Sequence, residues 1–216
     1  MIASLHRMRE PLASLARPSL LGLVPLAVLL VWITKAQQPA HFERIGVPFF
    51  WPTVQAITVC GAALSMLITA VGLMGSRTEW WARAIGSGWR AVGAAALLAW
   101  IPGLMLGLAC VLSAFLLDTT VHGAAAALRV TLATLAVLTP LAALVPLLAF
   151  LQVRLWLAVL CWLLALLACI ALQGHLLLGV HPTGIPLAAD GRTVGRLFLL
   201  TSGCLLLSRI VAPPAA

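Results

Sequence analysis

The sequence predicts an all-α fold: a polytopic integral membrane bundle of about six transmembrane helices, with both termini on the cytoplasmic side. Three observations predict it. Of 216 residues, 63% are hydrophobic and only 8% charged, against roughly 25% charged in ordinary soluble domains. Several apolar runs reach or exceed the roughly 20 residues that cross a bilayer as helix, and the mean hydropathy is +1.13. The 13 Lys and Arg residues stand singly near the ends of those runs, where basic side chains report topology and meet lipid headgroups.

Taken in order, residues 4–17 (SLHRMREPLASLAR) mix Leu5, Met8, Leu12 and Leu15 with Arg7, Arg9 and Glu10, the pattern of an amphipathic helix on the inner membrane surface. Spans follow at about 19–35, 53–75, 91–116, 130–150, 155–173 and 194–211, from hydropathy and the positions of charge. Behind Arg7, Arg9 and Arg17, and with no small-residue cleavage site close after it, the first is expected to be retained as a signal anchor. The stretch 130–173 is about twice the length of one crossing and is interrupted only by Gln152-Val153-Arg154, so it is read as a hairpin turning at Arg154. The segment 174–193 is apolar but broken by Gly174, Gly179, Pro182, Gly184, Pro186 and Gly191. It is expected to stay outside as a connection, dipping into the bilayer only under cover of other helices.

Orientation follows from the basic residues. With the N-terminus inside, Arg7, Arg9, Arg17, Arg77, Arg83, Arg90, Arg154 and Arg209 lie on inner flanks. Lys35, Arg44, Arg129, Arg192 and Arg196 lie on outer ones. The inner loop 76–90 is the densest basic block. Trp32, Trp51, Trp80, Trp81, Trp89 and Trp156 fall near predicted span ends, where indole rings sit at headgroup level.

A net charge of +8 would point to nucleic acid in a soluble protein; here no basic stripe exists and nucleic acid is excluded as a partner. The five cysteines, Cys60, Cys110, Cys161, Cys169 and Cys204, lie inside apolar runs without CxxC spacing and read as packing residues. No cofactor is expected. A single Lys within Ala/Leu/Arg-rich usage fits a GC-rich bacterial source, with the inner membrane as the expected location.

The acids Glu10, Glu43, Glu79, Asp118 and Asp190 all fall in predicted loops or at span ends. Proton relays and ion-coupled carriers place ionisable groups within their spans, so neither role is expected of this chain. No nucleophile elbow, zinc helix or phosphate loop is present, and no enzymatic activity is expected. His41, His122, His175 and His181 all map to the outer side. They are either a converging metal or haem contact or simply polar residues assigned to longer loops. Gly103 and Gly107 form a GxxxG in the third span and are read as a helix-packing surface, within the bundle or between subunits.

The layout as a whole, with its N-terminal amphipathic segment, its inner loop 76–90 and its broken outer segment before the last span, resembles the permease subunits of ABC-2-type exporters, including the haem-exporter B group. The resemblance implies a permease-like subunit of a multi-subunit transporter driven by a cytoplasmic ATPase. Glu79, Trp80, Trp81, Arg83 and Arg90 would be its partner contacts, and a homo- or hetero-oligomer in contact with membrane lipid is implied. Few polar residues along the spans and a Trp-rich inner loop depart from that pattern. Residues 35–48 (KAQQPAHFERIGVP) look like the segment after the first helix of DoxX-like small membrane proteins, a family of four spans. A third expectation, from the chemically inert composition, is an accessory or structural subunit of a respiratory or photosynthetic membrane complex.

Overall fold

In a computed structural model, residues 21–39, 50–75, 88–151, 154–172 and 191–211 are described. They form α1 (Leu21–Pro39), α2 (Phe50–Gly75), α3 (Trp89–Leu117), α4 (Val121–Phe150), α5 (Leu155–Leu172) and α6 (Gly191–Val211). No strand occurs among the described residues. Four of these helices, α1 to α4, are long and apolar enough to cross a membrane, while the apolar parts of α5 and α6 are shorter, Trp156–Cys169 and Phe198–Val211. The expected amphipathic segment 4–17 and the segment 174–190 lie outside the described residues.

The α3–α4 connection differs most from the sequence expectation. Spans at 91–116 and 130–150 leave 117–129 as a connection, yet α4 begins at Val121. Three residues, Asp118 to Thr120, make the connection, and Arg129 lies within the helix. The cause is local. The Thr120 hydroxyl accepts the Gly123 N–H at 3.0 Å, the standard way of satisfying an orphan donor in a first turn, and Ala124 to Ala127 then extend the helix at no side-chain entropy cost. Gly123 is required there, since a Cβ would collide with the Asp118 carbonyl. The α4–α5 connection is close to expectation: α4 ends at Phe150, and the Arg154 carbonyl accepts the Ala158 N–H at 3.0 Å, opening α5.

The core is the set α2, α3 and α4, each packed on the other two and α3 antiparallel to both its neighbours, with α5 against α4 and α2, and α6 against α4 and α3. On α2 the buried positions come in pairs, Val54/Gln55, Thr58/Val59, Ala62/Ala63, Ser65/Met66 and Thr69/Ala70, the repeat of a single helix face. Between helices in lipid the association comes from close van der Waals packing, because lipid tails are as apolar as Leu. Accordingly the α2–α3 seam is built from small residues: a Cβ on Gly103 would stand 2.9 Å from the Ala62 carbonyl oxygen. A Cβ on Gly107 would stand 3.2 Å from the Thr134 methyl and 3.7 Å from that of Thr58, a looser approach. The large side chains Leu112, Leu116, Leu128, Leu132, Phe198 and Leu199 point outward, an exterior suited to hydrocarbon rather than water.

Helix polarity is fixed by contacts at the two ends. Lys35 lies over the Phe50 ring and Trp51 reaches Asp118, so α1 finishes where α2 begins, α3 finishes and α4 begins. At the opposite end Ala91 and Val92 of α3, Phe150 of α4 and Val211 of α6 share one small cluster. Thus α4 and α6 run parallel.

Gly103→Leu is expected to destabilise the bundle by about 1–3 kcal/mol through overpacking against Ala62, read as a lower midpoint of thermal unfolding in detergent. Gly195→Ala, exposed and with nothing within 4 Å of a new Cβ, should leave the midpoint unchanged or raise it, since Ala is the better helix former.

Candidate functional site

Two groupings of polar side chains stand out, one at the end of the bundle and one inside it. The first is centred on Asp118, the only carboxylate among the described residues. The backbone N–H of Asp118 closes α3 on the Ala114 and Phe115 carbonyls, each at 3.1 Å. Its Oδ2 accepts the Trp51 indole N–H of α2 at 2.8 Å, and its Oδ1 accepts the Thr120 hydroxyl at 2.8 Å. The same Thr120 oxygen caps α4. Lys35 of α1 adds positive charge to the group while its Nζ sits 4.8 Å from the centre of the Phe50 ring, within the range of a cation–π contact. A little deeper, the Trp32 indole of α1 donates to Ser113 Oγ of α3 at 2.9 Å. Four helices are therefore joined around one acid.

Partial burial alone would push the Asp118 carboxyl upward; hydrogen bonds from Trp51 and Thr120 and the charge of Lys35 outweigh it and hold the group below its ordinary value. These donors favour the charged form.

The second grouping lines the inner face of α2. Gln55, Thr58, Ser65 and Thr69 are all buried, with Thr134 of α4 opposite, and Thr58 lies against Gly107 and Cys110 of α3. The Thr69 and Thr134 hydroxyls donate to carbonyls one turn back on their own helices. Thr58 Oγ1, Ser65 Oγ and the indole nitrogens of Trp100 and Trp162 are buried without a hydrogen-bond partner. This stripe escaped the expectation of spans poor in polar residues, although its spacing of three, seven and four positions was readable as one helical face. At a similar depth a cleft of about 240 Å³ opens between α3, α4 and α6, bounded by Leu97, Trp100, Thr139, Ala143, Thr201 and Leu205. Its wall is neutral, so it can take an apolar group but offers no charge to hold an ion.

Of the residues singled out from sequence, Gly103 and Gly107 meet α2 and α4 inside the bundle. Arg90 is exposed in the first turn of α3, and His122 is exposed in the first turn of α4. Glu79, Trp80, Trp81, Arg83, His41, His175 and His181 lie outside the described residues. Among the described residues no three His, Cys, Asp or Glu side chains come together as metal ligands. Comparison with protein-family models, with curated proteins and with solved structures gives no match.

Asp118 yields a pH prediction whose sign is fixed. A carboxyl depressed in the folded state contributes stability that is present above its unfolded value, near 3.9, and lost as pH falls through the lower folded value. Thermal unfolding in detergent should therefore show a loss of stability on the acid side of pH 4 that Asp118→Asn reduces. At neutral pH Asp118→Asn should lower the midpoint and Trp51→Phe should lower it less, because the latter leaves the Thr120 contact and the Lys35 charge in place.

Proposed function

We propose that this chain is a permease-like membrane subunit of a multi-subunit transporter, of the ABC-2 export type, with its energy supplied by a partner ATPase. The observation that carries the reading is the chemistry of the bundle interior. Among the described residues its buried polar side chains are hydroxyls and one amide, Thr34, Thr58, Ser65, Thr69, Thr134, Ser208 and Gln55, with thiols at Cys110 and Cys169. Carriers that draw on an ion gradient place carboxylates, His or Lys among their helices. A neutral, weakly polar interior fits a pathway worked from outside the chain.

A six-crossing arrangement with both termini on one side belongs to this proposal. In its support, α6 lies parallel to α4, and α5 runs between their opposite ends. At 1.5 Å per residue α5 and α6 measure roughly 27 and 32 Å, close to the hydrocarbon thickness of about 30 Å. The inner basic block, Ser76 to Arg90, would then face the ATPase, in a bacterial inner membrane.

Affinity purification of the full chain in mild detergent tests the reading. It should recover a cytoplasmic ATPase in a nucleotide-sensitive complex. Combined Glu79→Lys, Arg83→Glu and Arg90→Glu should reduce that recovery by roughly tenfold or more, as expected on reversing interfacial charge. Recovery of haem or quinone proteins instead, indifferent to nucleotide, would overturn it in favour of an accessory subunit of an electron-transfer complex.

A further inference from the structure

The end of the bundle where α3 begins and α6 finishes carries a charge arrangement of which the transport reading uses only Arg90. Arg209, in the last turn of α6, lays its guanidinium against Gly88, with Cζ and Nε each 3.4 Å from where a Cβ would stand. Arg90 follows two residues later and is exposed, as are Arg209 itself and Arg154 at the start of α5. No acid lies in the first turn of α3 or of α5. The only described carboxylate, Asp118, is at the far end of α3. On the same last turns of α6, Leu206, Leu207 and Ile210 are exposed and apolar.

We propose that Arg209 and Arg90 together bind the phosphate of an anionic phospholipid, with the lipid chains running down the outer apolar face beside them. Charge complementarity selects this occupant. A guanidinium presents a planar fork that matches phosphate oxygens, and on the six-crossing reading proposed above this one stands at a span end, the depth of lipid headgroups. Like charges gathered with no described acid between them repel, and a bound anion removes that repulsion. Exposed Leu206, Leu207 and Ile210 next to Arg209 suit a ligand that is charged at one end and hydrocarbon at the other. Free inorganic phosphate would satisfy the guanidinium but leave those side chains uncovered.

Native mass spectrometry of the purified full chain, without its partner, decides this separately from the ATPase reading. Phosphatidylglycerol should form retained adducts and phosphatidylcholine should not. Arg209→Gln should lower phosphatidylglycerol retention by roughly fivefold, the scale of one basic residue near a membrane surface, and Arg90→Gln should lower it similarly. Arg196→Gln, on the same helix at the other end, should leave it unchanged, and Arg209→Lys should retain most of it, separating charge loss from misfolding. Equal retention of the two lipids, or equal retention by the Arg209→Gln and Arg196→Gln chains, would overturn the proposal. Displacement of phosphatidylglycerol by millimolar inorganic phosphate would overturn it in favour of a free anion.

Discussion

The approach of Gly103 to the Ala62 carbonyl is the constraint on which the remaining packing rests. Because lipid provides no hydrophobic force between helices, α2 and α3 are held by the number of atoms they bring within van der Waals range. That number is large only where side chains vanish. Ala62 and Ala63 on one helix and Gly103 and Gly107 on the other bring the backbones together, and α4 then fills the remaining groove with Leu138 and Thr134. The bulky residues are displaced to the perimeter by the same geometry, so the outer face of the bundle is apolar as a consequence of how its centre is made.

Polar groups are distributed under a second rule, that each must find a partner or a tolerant setting once water is removed. Thr69 on α2 and Thr131, Thr134 and Thr139 on α4 do this within their own helices. Asp118 does it at the end of the bundle, where two hydrogen bonds and a lysine compensate a single negative charge. The unpartnered Thr58 and Ser65 hydroxyls and the indoles of Trp100 and Trp162 are where the rule is not met among the described residues. They lie on three different helices, α2, α3 and α5, so the cost is spread through the interior rather than gathered in one polar chamber.

Much of the architecture was legible in the sequence, and the reason is that bilayer thickness converts composition into length. Helical class, the approximate limits of α1, α2 and α3 and the turn near Arg154 all follow from apolar runs and their charged ends. The start of α4 did not, because hydropathy scores Thr120, His122 and Gly123 as loop. It has no access to a cap that depends on Thr120 facing Gly123. The Asp118 group was likewise hidden: Trp51 and Asp118 are far apart in sequence, and each alone looks like an ordinary residue at a membrane boundary. Gly103 and Gly107, by contrast, were visible as a pair because their spacing places both on one helix face.

The parallel pairing of α4 and α6 bears on how the chain is made. Helices α3 and α4, joined by only three residues, meet as soon as both have left the ribosome. The surface that receives α6 consists of parts of both, so it does not exist until that hairpin has closed. Since α6 is also separated from α4 by all of α5 and the segment after it, it docks after that hairpin has had time to close. Helix α6 therefore packs correctly only on a correctly assembled hairpin.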